Sequence, residues 1–194
     1  MRDIDTKSYG PAAQDLLARA QAAELPRTLT CGTAVADALP ALRAMTDQTL
    51  SQNRRVRMPH DAQALHAGLW LLFDYFTESH DIAQTLATPS GSYWHAILHR
   101  REPDPSNAKY WFQRVGEHPV YPELLDDARE IAAAAGPAGK ALLDPLQQMK
   151  AWDGAWFVDR CSAGGDAATV GVLLQIQRRE WQLLFDGSFR KAFA

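Results

Sequence analysis

Cysteine is nearly missing from this 194-residue sequence. The two thiols, Cys31 and Cys161, stand far apart and form none of the paired spacings that hold a metal or a redox disulfide, which points to a reducing compartment and free thiols. A long hydrophobic run is missing as well. The longest apolar stretch, around Leu65 to Phe73, is far too short to span a bilayer. Met1 to Asp5 include acids and lead into no apolar segment, so no secretory leader is read and a cytoplasmic, soluble protein is expected. Charge of one sign is not in excess either, because the formal net charge is only −3. Neither nucleic acid nor an anionic membrane is then an expected partner, and any anion has to be held by a local basic cluster. Strand-like alternation, internal repeats and low-complexity tracts are also lacking, apart from the alanines at 132–135.

What is present is a chain 46% apolar whose hydrophobic residues recur at helical spacings. This predicts an all-α fold, one domain over 1–194 with roughly seven or eight helices around a central apolar helix. A first helix over 9–25 starts at Gly10-Pro11 and stops at Pro26. A long connection to Pro40 follows, then a short helix over 39–51. Arg54, Arg55 and Arg57 form a basic run that reads either as a solvated loop end or as an anion site. The segment 61–78 is apolar on more than one face, with Leu65, Leu69, Leu72 and Phe76 on one stripe and His66, Trp70 and Phe73 on another, and is expected to be the most buried helix. Ser79 is read as the cap of a further short helix ending before Thr88 to Gly91. Beyond residue 119, helices are expected over 122–135, 139–150, around Trp152 and Trp156, and over 168–185.

Chemistry concentrates between Gly91 and His118, where polar groups and aromatics interleave. His95 and His99 are four apart and share one helical face. Asp104-Pro105 starts a second short helix, with the Asp104 carboxylate taking free backbone N–H groups and Pro105 placed where its missing N–H costs nothing. On that helix Asn107, Trp111 and Arg114 fall along one stripe, and Gly116 suits the turn that ends it. All six histidines lie between His60 and His118, a distribution that a common pocket would produce.

Three readings of this motif stand side by side. In the first, His95, His99 or His118 acts as a base or metal ligand with Asp104 or Asp81 orienting an imidazole, and the reaction is acid–base or metal-assisted hydrolysis. A divalent metal is then the implied cofactor, on His95 and His99, although residues 96–98 are Ala-Ile-Leu and exclude a zinc protease of the His-Glu-x-x-His kind. In the second, Arg100, Arg101, Asn107 and Arg114 clamp a small anionic or polar ligand while Trp94, Tyr110 and Trp111 wall it in. In the third, the arginines pair internally with Glu102, Asp104 or Glu117 and the motif is a structural polar network. Cys161 beside Gly164-Gly165 has no sequence-evident base and reads as a small buried hydrophobe.

The motif resembles that of a family of uncharacterised, mostly bacterial proteins with some fungal members. The matching positions are Tyr93, Trp94, His95, His99, Arg100, Arg101, Glu102 and Asp104, then Asn107, Ala108, Lys109, Tyr110, Trp111 and Arg114, and last Gly116, His118 and Pro119. The resemblance is close over this stretch, loose elsewhere, and implies no particular activity.

Overall fold

The computed structural model describes residues 6–193. The acidic start at Met1 to Asp5, on which the expected absence of a leader was read, lies outside the described residues. Among those residues there are eleven α-helices and no strand, so the all-α expectation holds and the expected helix count was too low. One of the additional helices comes from splitting. The segment read as one helix over 39–51 is two, α2 (Leu39–Ala44) and α3 (Asp47–Ser51), after α1 (Pro11–Ala22). Met45 turns extended between them, and Thr46 and Thr49 form a reciprocal capping box that restarts the chain.

A second difference is a boundary that falls inside the apolar segment 61–78 rather than at Ser79. There α4 (Pro59–Leu72) ends, Asp74 takes a left-handed conformation at φ 64°, and α5 (Phe76–Ala83) begins. Ser79 is therefore not a cap. It sits inside α5, where its hydroxyl donates to the Ala67 carbonyl at 2.9 Å and fastens α5 to α4. The reason for the break at Asp74 is tertiary: its carboxylate receives the Arg101 guanidinium at 2.6 Å.

Next comes α6 (Pro89–Arg101), capped by Thr88, whose hydroxyl accepts from the Gly91 N–H at 3.1 Å. This helix, not α4, is the most buried. Every residue from Ser90 to Arg101 is buried in α6, against nine of fourteen in α4. It packs on α4, α5, α7 (Pro105–Val115) and α10 (Gly154–Ala163). Several of its polar residues have partners that reach them from other elements. Arg100 donates to Glu180 at 2.5 Å with both side chains sealed from solvent, and Tyr93 donates to the other oxygen of the same carboxylate at 3.0 Å. Burial of such a pair is tolerable only when geometry and additional hydrogen bonds offset the lost hydration.

Three more helices complete the fold. They are α8 (Tyr121–Ala134), α9 (Lys140–Gln148) and the 27-residue α11 (Ala167–Phe193), which runs against α4 and α8. The indole of Trp181 on α11 donates to the Gly68 carbonyl at 2.9 Å and meets Trp94 edge-on at 5.8 Å. Gly68 has to be glycine for this contact. A Cβ there would lie 2.7 Å from the Trp94 ring, which is itself fully buried in a close-packed core. No described helix is long and apolar enough to cross a membrane.

Candidate metal centre

Three helices and one turn assemble the site. His95 and His99 stack at 4.7 Å on one face of α6, as their spacing requires. His80, on α5, meets both edge-on at 4.7 and 5.5 Å, so that the ligand atoms of all three imidazoles lie within 4.8 Å of one another. The turn after α6 folds α7 back over them. The Asp104 N–H donates to the His99 carbonyl at 3.0 Å, and the Asp104 carboxylate accepts the Asn107 N–H at 3.2 Å, which is the expected cap. Asn107 then reaches His99 Nε2 at 3.1 Å, and Trp111 stacks on His95 at 4.0 Å.

The cluster is buried rather than open. His95 is 3% and His99 7% exposed, while His80 is half-buried and forms the wet edge. Neither ring nitrogen of His95 has a hydrogen-bond partner among the described residues. Glu102 stands 3.1 Å from His99 Nδ1, off the line a hydrogen bond needs. Burial, with the neighbouring His99 and His80 rings behind it, lowers the His95 pKa to about 3. Burial also lowers His99, against the opposing pull of Glu102. Both shifts leave His95 and His99 neutral at neutral pH, the form that binds metals.

The other candidate residues are placed elsewhere. His118 is buried beside Ser90, 3.5 Å away, and against the Tyr93 and Tyr121 rings, with a pKa lowered to about 4 by burial and then by Lys191. It does not belong to the three-histidine group. Neither carboxylate proposed to orient an imidazole does so by hydrogen bonding, since Asp104 caps α7 and Asp81 accepts from Gln84 at 3.4 Å. Arg100 and Arg101 are committed inward, to Glu180 and to Asp74, with Arg101 also donating to the Leu71 and Thr30 carbonyls. Their partners are neither Glu102 nor Asp104 nor Glu117. Trp94 is fully buried core against Trp181 and Gly68. Arg114 alone among the motif arginines is exposed, its guanidinium 5.3 Å from the Trp111 centroid and donating to the Tyr110 hydroxyl at 3.4 Å.

His80 is the site residue that sequence reasoning missed. The grouping of all histidines between His60 and His118 was its signal, and three of the six do converge. His66 pairs with Asp47 at 2.8 Å and His60 is exposed. A cleft of about 650 Å³ between α1 and α11, lined by Tyr9, Gln14, Leu17, Arg178 and Gln182, contains none of the motif residues. No protein-family model, curated protein or solved structure matches the chain.

Proposed function

We propose that this protein binds a divalent transition metal, of the zinc class, through His80, His95 and His99. The observation that carries the reading is His95, a nearly sealed imidazole with two unpartnered nitrogens in a group of three. An unsatisfied buried polar group costs about 1–3 kcal/mol, and a metal on one nitrogen removes part of that cost. Ligand nitrogens on a tetrahedral zinc ion sit about 3.3 Å apart, given bonds of roughly 2.0–2.1 Å. The present spacing, within 4.8 Å, is wider, so metal binding requires the three rings to draw together. Two of the ligands, His95 and His99, lie in the stretch that carries the family resemblance, which we extend to a shared metal site.

The test is a melt of chelator-treated protein with Zn²⁺, Co²⁺ or Ni²⁺ added. At metal concentrations of about 100 times the dissociation constant, stabilisation is about 2.7 kcal/mol, a rise on the order of 5–10 °C for a domain of this size. His80→Ala and His95→Ala, each compared with its own metal-free melt, lose the rise. A small anion is the competing ligand for Arg114, so phosphate is run in parallel with Arg114→Ala. A wild-type melt unmoved by all three metals overturns the metal reading, and a shift with phosphate alone replaces it by the anion reading.

A further inference from the structure

We infer that Asn107 supplies the fourth ligand of this site through its side-chain carbonyl oxygen, so that the metal is held in a closed, structural coordination shell rather than one with a position open to substrate. This rests on the three-histidine reading above. The contact between Asn107 and His99 fixes the first step. Asn107 Nδ2 is 3.1 Å from His99 Nε2, and an amide nitrogen only donates, so Nε2 is a lone pair and the His99 proton resides on Nδ1. The Glu102 carboxylate stands beside that proton at 3.1 Å. His99 thus has a lone pair on Nε2, the nitrogen that Asn107 reaches, and a carboxylate beside its other nitrogen, an arrangement that metal-ligating histidines use.

A cation on Nε2 reverses what that position demands of Asn107. The amide's donor end is repelled and its carbonyl end attracted, and a half-turn about the terminal side-chain torsion exchanges the two atoms. That torsion is broad and nearly two-fold, so the exchange is inexpensive. The backbone need not move, because Asp104 holds the Asn107 N–H in the first turn of α7. The distance fits as well. An atom 3.1 Å from Nε2 is close to the separation of about 3.3 Å between two ligands of one tetrahedral zinc ion.

Packing argues against an open position. His95 and His99 are almost sealed, Trp111 lies flat on His95, and only half-buried His80 meets solvent. An imidazole from α5, two from α6 and an amide from α7 would bind the three helices around one ion. Such a closed shell is the mark of structural sites, whereas catalytic ones retain a water or substrate ligand.

Cobalt replaces zinc in the test because its visible spectrum reads the shell. The full-length Co²⁺-loaded protein is titrated with azide, alongside Asn107→Ala and Asn107→Asp. The wild-type spectrum is expected to be tetrahedral and unmoved by azide. Asn107→Ala is expected to bind Co²⁺ about 10–100-fold more weakly and to shift on adding azide. Asn107→Asp, which restores an oxygen ligand, is expected to ignore azide again. A wild-type cobalt spectrum that azide perturbs overturns the closed shell while leaving the three-histidine site standing. Asn107→Ala with wild-type cobalt affinity and no azide response does the same. Failure of wild type to take up Co²⁺ at all overturns both.

Discussion

Lowering the pH from 8 to 5 isolates the buried imidazoles, because ordinary carboxylates begin to titrate only below that range. His95 and His118 have folded pKa values lowered to about 3 and about 4, each chiefly by burial. In the unfolded chain both return to about 6.5. The unfolded state therefore binds more protons between these limits. The stability the two residues provide is fully present above pH 6.5 and is lost as pH falls through 6.5 toward 4 and 3. At pH 5 the medium is about 1.5 pH units below the unfolded value, and each unit is worth about 1.4 kcal/mol, so each group forfeits about 2 kcal/mol. For His95 we halve this to about 1 kcal/mol, since water reaches its cluster past His80. The sum is about 3 kcal/mol, and His99, lowered in the same direction, adds to it. With a urea dependence of about 2 kcal/mol/M, the midpoint of the chelator-treated protein should fall by about 1.5 M between pH 8 and pH 5. His95→Phe, which keeps a ring and removes the titration, should shrink that fall by about a third. Equal midpoints at the two pH values, or the same fall in wild type and His95→Phe, would refute the buried neutral imidazole.

Other expectations concern the scaffold. Removing the α7 cap with Asp104→Ala should cost about 0.5–2 kcal/mol, and a denaturation midpoint unchanged within error would show that the 3.2 Å contact to the Asn107 N–H contributes nothing. Leu69, only 1% exposed in α4, should cost roughly 2–5 kcal/mol when cut to Ala, as read by urea unfolding; a loss under 1 kcal/mol would mean that the core collapses around the gap. Glu180→Ala strands the buried Arg100 and the Tyr93 hydroxyl together and should cost about 3–5 kcal/mol. A neutral Glu180→Ala would show that neither partner depends on that carboxylate.

Features set by local chemistry were legible, and those set by distant partners were not. The start of α7 follows from Asp104-Pro105 and the pairing of His95 with His99 from helical spacing, so both were visible in one dimension. The end of α4 was not, because the residue that breaks it, Asp74, is held by Arg101 from 27 positions further on. The same limitation hid the centre of the fold. A stretch containing Ser90, His95, His99, Arg100 and Arg101 reads as half solvated by periodicity, since periodicity treats every polar side chain as outward-facing. It becomes the most buried helix only once Asp61, Asp74 and Glu180 arrive from α4, its C-terminal turn and α11. His80 escaped for a related reason, because its partners lie 15 and 19 positions away on another helix.

The buried ion pairs and the histidine group bear on each other. An arginine whose guanidinium is paired with Glu180, its central carbon 4.6 Å from the centre of the Phe157 ring, cannot shift along its helix without breaking a sealed pair. Arg101, enclosed by Asp74 and two carbonyls, fixes the next position of α6 in the same way. His99 directly precedes Arg100, and His95 lies one turn earlier, so both imidazoles stand on a helix segment with little freedom to slide or rotate. Pre-positioned ligands lower the ordering cost of binding. Arg100 and Arg101 then need no ligand of their own: they hold α6 in register, and the element left to adjust is His80 on the eight-residue α5. Closure of the site onto a metal should accordingly be felt first in α5. Hydrogen exchange should slow on adding Zn²⁺ at the amides of α5 and at the start of α7, while those of α6, already buried, should scarcely change.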